Sequence, residues 1–155
     1  MQRLKSVILV ATVIFSAATF TGCKKDSASS GQWGAETLSD FYISPVEVTT
    51  KLWADVMGFI PEGQSNHGDA YPVSNVNYYD IAGEDGFIDK LNAMCKGQLP
   101  EGKRFALPTE AQWEYAARGG QKSRGYKYAG SDTIDEVAWY GRNATLGFRI
   151  VLRKR

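Results

Sequence analysis

Arg104-Phe105-Ala106-Leu107-Pro108-Thr109-Glu110-Ala111-Gln112-Trp113-Glu114-Tyr115-Ala116-Ala117-Arg118-Gly119-Gly120 is the stretch on which the reading of this chain turns. Thr109 followed three residues later by Gln112 forms a capping box, two reciprocal hydrogen bonds that fix where a helix starts. Trp113, Ala116 and Ala117 make one face of that helix and are expected to turn inward, and Gly119-Gly120 ends it. Glu114 and Arg118 are spaced for an ordinary ion pair, and the Glu110/Glu114 pair on one face reads as structural.

Working toward the N-terminus, Asp85 or Gly86 precedes a predicted helix from Phe87 to about Lys96, with Phe87, Leu91 and Met94/Cys95 on its apolar face. Pro72-Val73 and Val76 suggest a short extended piece, and Phe59–Tyr71, with Pro61, Gly63, Asn66, Gly68 and Asp69, is loop. Thr49 or Thr50 can cap a helix through Leu52, Trp53, Val56 and Met57, stopped by Gly58. Phe41-Tyr42-Ile43 is strand-like, broken at Pro45 and resumed by Val46-Glu47-Val48. Beyond Gly120 come Tyr126-Lys127-Tyr128, a Gly130-Ser131-Asp132 turn, Val137-Ala138-Trp139-Tyr140, and an alternating strand from Gly147 to Leu152. Short helices among short strands and long loops give an α+β class.

The first thirty residues carry a different signal. Met1–Ser6 holds Arg3 and Lys5 and no acid, and an apolar run follows from Val7 to Phe20. That is the pattern of a secretory signal peptide, and the run stops short of the roughly 20 apolar residues a spanning helix needs. Thr21-Gly22 leads into Cys23, and Phe-Thr-Gly-Cys resembles the bacterial lipobox, with Phe20 where Leu is usual. Residues 1–22 are therefore expected to be a lipoprotein signal peptide and Cys23 the lipid attachment site. The rival readings are a secreted protein with Cys23 near its cut by chance, and an uncleaved anchor. Residues 23–36, rich in Ser, Lys and Gly, read as a flexible tether, and 37–155 as one domain.

Charge excludes one class of partner. Eighteen basic residues face seventeen acidic ones, and loss of Arg3 and Lys5 with the signal leaves sixteen against seventeen. Nothing there suggests nucleic acid. Of the two cysteines, the lipid would consume Cys23, so Cys95 has no partner for a disulfide and reads as a buried thiol.

These pieces, in this order, resemble the formylglycine-generating enzyme (sulfatase-modifying factor) family. The resemblance is carried by Phe41-Tyr42-Ile43 with Glu47-Val48-Thr49, Trp53 through Met57-Gly58, Pro72-Val73 with Val76, Leu91-Asn92 and, most specifically, the Arg104–Gly120 stretch. Tyr128-Ala129-Gly130-Ser131, Val137-Ala138-Trp139-Tyr140 and Gly147-Phe148-Arg149 complete it, so that it covers about Phe41 to Leu152. It implies an irregular C-type-lectin-like fold. It also implies copper held by a thiolate pair in true oxidases, non-haem iron in some relatives, and calcium ligands. The calcium ligands and the reactive cysteines sit in a long stretch between the Ala-Trp-Tyr and Gly-Phe-Arg strands of the family.

Here only Gly141-Arg142-Asn143-Ala144-Thr145-Leu146 stands in that place. Cys95 is the one thiol left for Cu(I), and iron would need several His or carboxylate ligands where the chain has only His67, in a Gly/Asn-rich loop. Asp132, Asp135 and Glu136 lack the ligand spacing of a calcium loop. No catalytic residue, metal ligand or resident cofactor is assigned. Trp139, Tyr140, Arg142 and Asn143, beside the shortened connection, form the candidate ligand surface, since aromatic rings suit sugar or peptide faces. Trp53 and Trp113 are expected in the core, and core packing is also the favoured rival reading of Trp139. The function expected is a membrane-anchored lipoprotein of the cell envelope, without oxidase chemistry, that binds a protein or glycan partner or contributes to an envelope assembly. The alternatives are an oxidoreductase whose missing segment comes from elsewhere, and an internally deleted member without function. The two strands flanking the connection are predicted to pair antiparallel.

Overall fold

The structure is a computed structural model that describes residues 38–65, 68–133, 136 and 147–154. Three strands, β1 (Phe41–Ile43), β2 (Lys103–Ala106) and β3 (Val151–Lys154), form one antiparallel sheet in the order β1-β3-β2. Four helices, α1 (Thr50–Met57), α2 (Tyr78–Ala82), α3 (Phe87–Met94) and α4 (Glu110–Ala117), and a single 3₁₀ turn at Gly120–Lys122 complete the described elements. This is the α+β arrangement of short elements and long loops that the sequence implies.

The closing strand is the middle one. Leu152 faces Tyr42 on one side and Phe105 on the other, and Val151 faces Ile43 and Ala106. Successive strand side chains point to opposite faces, so Leu152 joins the main core while Val151 joins a second cluster with Phe41 and Ala106. The unbroken apolar run Ile150-Val151-Leu152 is the mark of a strand covered on both faces. The strand ladder begins at Val151 rather than Gly147, because residues 147–150 pair irregularly with 44–48. Ser44 N–H donates to Ile150 O at 3.0 Å and Val48 N–H to Phe148 O at 2.8 Å. The hairpin expected between 137–140 and 148–152 has its first arm outside the described residues. The second arm has its neighbours in β1 and β2.

The helix ends follow their caps. Thr49 Oγ1 accepts from Leu52 N–H at the start of α1, and Gly58, at φ +86°, closes it in the left-handed conformation that glycine takes without strain. Thr109 and Gln112 form the capping box of α4, as predicted. Gly86 precedes α3, which ends at Met94, two residues before the expected stop. Two short elements were not predicted. In α2, Asn77 and Asp80 close a second capping box, and β2 precedes the α4 cap.

Trp53 is the centre of the core, 1% exposed. It stacks on Phe87 with ring centroids 5.2 Å apart and planes 3° from parallel, and Phe148 meets both rings edge-on at 6.2 and 5.7 Å. The Trp53 indole N–H has no hydrogen-bond partner among the described residues. The expectation that Trp113 is also buried is overturned, because it is 54% exposed. Gln112 occupies the inward position, folded back under the helix start, and Tyr115 packs edge-on to Phe41 at 6.5 Å. The helix therefore turns its 112/115 side to the sheet and leaves Trp113 with Glu114 in solvent. Glu114 and Arg118 form the predicted ion pair at 3.0 Å, too exposed to contribute more than a few tenths of a kcal/mol by the usual measure of about 0.3–0.5.

Candidate functional site

The candidate surface Trp139, Tyr140, Arg142 and Asn143 lies outside the described residues, as do Cys23, His67 and Asp135. What the structure does define is the frame on the downstream side of that surface. Glu47, at the family position after the Pro45 break, reaches the returning chain and accepts from Gly147 N–H at 3.1 Å. A Cβ on Gly147 would stand 2.9 Å from the Glu47 carboxyl carbon and 3.0 Å from Pro72 Cβ, so a side chain there would have to displace the Glu47 carboxylate from its bond. Two residues on, the Arg149 guanidinium donates to Ser44 O through Nε at 2.7 Å and also through Nη2. Burial pulls the Arg149 pKa below its usual value, and the nearby Glu47 carboxylate partly offsets this. Glu47, Gly147 and Arg149 thus lock the segment after the connection onto the segment after β1. The motif matches had flagged these residues, but only the fold brings them together.

A second set of side chains uses amides to bind backbone. Asn92 Nδ2 donates to Ile88 O at 2.9 Å and Phe105 O at 3.0 Å, while its Oδ1 accepts from Phe105 N–H at 2.8 Å. It sits where a fourth strand would pair with β2. Gln64 does the same for the loop after α1. Its Nε2 donates to Ser74 O at 2.6 Å and Pro61 O at 3.2 Å, and its Oε1 accepts from Ser74 N–H at 2.8 Å. Asn75 Nδ2 adds a bond to Glu62 O at 2.7 Å. The loop after α1 is held closely beside residues 74–77, although sequence alone marked it only as irregular.

The described residues do not fit the metal chemistry that the resemblance implies. Cys95 is buried at 1% exposure at the end of α3, and burial pushes its thiol pKa up, away from the thiolate that copper needs. The only other cysteine is Cys23, in the N-terminal segment. Among the described residues no group of three or more His, Cys, Asp or Glu side chains could hold an ion. The turn after Tyr128 is self-contained: Asp132 Oδ1 accepts from Lys127 N–H at 2.7 Å, and the Glu136 carboxylate accepts from the Ser131 hydroxyl. Lys127 Nζ lies 5.3 Å from the Tyr128 ring, a spacing suited to cation–π attraction.

Residues 11–154 match the sulfatase-modifying factor enzyme 1-like domain. The chain belongs to that family. A relative named chaperone protein LppX, from Paenibacillus barcinonensis, is 40% identical over 147 positions, covering 79% of this chain and 52% of the relative. The chain thus spans about half the length of that curated relative. The 147 aligned positions exceed the share of this 155-residue chain that takes part, so the relative carries residues without counterpart here. No solved structure matches the chain. Within the sulfatase-modifying factor family it is a shortened member, and Glu47, Gly147 and Arg149 are motif positions that the shortening leaves in place, with Ser44 O as the acceptor for Arg149. Among the described residues no helix is long and apolar enough to cross a membrane.

Proposed function

We propose that this chain is a lipid-anchored protein of the cell envelope whose sulfatase-modifying-factor domain binds a partner protein or glycan and does not oxidise it. The observation that carries the reading is the state of the thiols. The one cysteine among the described residues is buried in the core at the end of α3, and burial raises its pKa; the other cysteine of the sequence, Cys23, is the expected lipid site. The short connection before Gly147 leaves little room for the ligands that relatives are expected to keep there. A relative whose printed name is that of a chaperone supports a binding role, and the Phe-Thr-Gly-Cys23 sequence supports the anchor.

The test has two arms. Purified protein from cells grown with copper and iron is expected to carry well below one equivalent of either metal and to consume no oxygen with cysteine-containing peptides. A stoichiometric metal with oxygen uptake would establish the oxidoreductase reading instead. Labelling with a fatty-acid analogue should mark the parent chain and not Cys23→Ser, and the variant should leave the membrane fraction. Equal labelling of both would remove the anchor from the proposal.

A further inference from the structure

Charge is segregated along this chain in a way the near-zero net value hides. Between Lys51 and Lys90 there is no Lys or Arg, and seven acids occur: Asp55, Glu62, Asp69, Asp80, Glu84, Asp85 and Asp89. From Lys90 to Arg155 thirteen basic residues outnumber six acidic ones. The acidic span is also where the large exposed apolar side chains concentrate. Phe59 and Ile60 are each 53% exposed on the loop after α1, and Tyr78 and Tyr79 are 65% and 78% exposed on α2. The Asn75–Glu62 and Gln64–Ser74 bonds hold the loop beside the segment that leads into α2. The Asn77/Asp80 capping box fixes α2 itself, so the Tyr78 and Tyr79 rings meet edge-on at 5.8 Å above a buried Ile81. Phe59 is steadied from beneath by Trp53, edge-on at 6.4 Å, so the loop and the helix are each held before any partner arrives, which limits the ordering cost of binding.

We propose that the loop after α1 and helix α2 form a docking face for a cationic polypeptide segment bearing apolar side chains. The proposal rests on the partner-binding reading above and names the chemistry of the partner. Exposed Glu62, Glu84 and Asp85 supply a field that attracts Lys and Arg and repels anionic lipid headgroups and nucleic acid. Phe59, Ile60, Tyr78 and Tyr79 supply rigid ring and aliphatic area, the kind of anchor that dominates protein recognition.

The probes are a short synthetic Lys/Leu amphipathic peptide and its Glu/Leu counterpart, each titrated into the purified full chain by fluorescence anisotropy. The Lys/Leu peptide should bind and the Glu/Leu peptide should not. Raising salt from about 0.05 M to about 0.5 M should weaken binding roughly tenfold, since the Debye length shrinks below the spacing of surface charges. Tyr78→Ser/Tyr79→Ser, checked for unchanged circular dichroism, should weaken it by about tenfold or more, as should Glu62→Lys/Glu84→Lys, the scale expected when anchors of an interface are removed. Equal affinity for both peptides, or unchanged affinity in the folded tyrosine variant, would overturn the proposal. Co-sedimentation with phosphatidylglycerol vesicles that the tyrosine variant abolishes would overturn it in favour of a membrane face. A chain that is lipidated and metal-free but binds neither peptide would sink this inference alone and leave the envelope-binding reading standing.

Discussion

Asn92→Leu tests whether a single amide seals the open edge of β2. The substitution keeps side-chain volume nearly constant, so packing is preserved while three hydrogen bonds disappear. Two of them serve Phe105, which is 2% exposed and bonds to Asn92 through both its N–H and its C=O. Each buried group left without a partner costs about 1–3 kcal/mol. Asn92 is only half-buried, which lets water reach part of the gap, so the lower end applies and the expected loss is about 2–3 kcal/mol. For a domain of this size that is a fall in Tm of roughly 10 °C, read by thermal and urea unfolding followed by circular dichroism. Asn92→Asp adds a second arm. Its carboxylate can still accept from Phe105 N–H but cannot donate to Phe105 O until it is protonated. Burial beside a carbonyl raises its pKa in the folded state, so this variant should gain stability relative to the parent as pH falls through that raised value. If Asn92→Leu stays within about 1 kcal/mol of the parent, the amide is not sealing the edge and the reasoning fails.

Gly147→Ala should destabilise by about 1–3 kcal/mol, the usual cost of overpacking, because the new methyl would lie 2.9 Å from the Glu47 carboxyl carbon. A double-mutant cycle with Glu47→Ala should recover part of that loss, and strict additivity would show that the clash is elsewhere. Cys95 should resist a thiol-specific reagent in the native protein and react fully only in denaturant, since it is buried. Its folded pKa is raised by burial, so the folded state holds the proton more tightly than the unfolded one. The parent's stability relative to Cys95→Ala should therefore be level below about pH 8.5, the ordinary thiol value, and fall as pH rises above it. Rapid native labelling would contradict the core placement.

The parts of the fold legible in the sequence are those whose signals are local. Thr49 with Gly58 and Thr109 with Gln112 fix α1 and α4, because a cap is a contact between residues three or four apart. The α2 cap was equally local, but with Asp80 rather than Glu or Gln at the third position and with Ile81 as the helix's only buried residue, it left no periodicity to read. Strand β2 was hidden for a different reason. Its four residues carry Lys103 and Arg104, and only pairing with β3, nearly fifty residues away, makes Lys103–Ala106 a strand. Trp113 shows the limit of face assignment: the helix was legible, but which side meets the sheet depends on Tyr115 reaching Phe41. For the site, the motif residues Glu47 and Arg149 are visible as matches, yet the bonds from Gly147 to Glu47 and from Arg149 to Ser44 each span about a hundred positions, and no local pattern encodes them.

The main core, as far as the residues are described, is built from the two sides of the shortened connection. The large buried cluster draws on Val48, Trp53, Val56, Val73, Ile81, Phe87, Ile88, Leu91, Cys95 and Phe105 before α4, and on Ile150 and Leu152 after the connection. Among the described residues, none from 108 to 147 enters it or packs against it. Phe148 caps the Trp53–Phe87 stack from the far side of the connection, and Glu47 and Ser44 take hold of Gly147 and Arg149 as soon as the chain returns. Burial of those rings is the main term holding the two ends together, since each large side chain removed from water contributes about 1.5–3 kcal/mol. The described part of the stretch between α4 and Gly147 thus contributes nothing to this cluster.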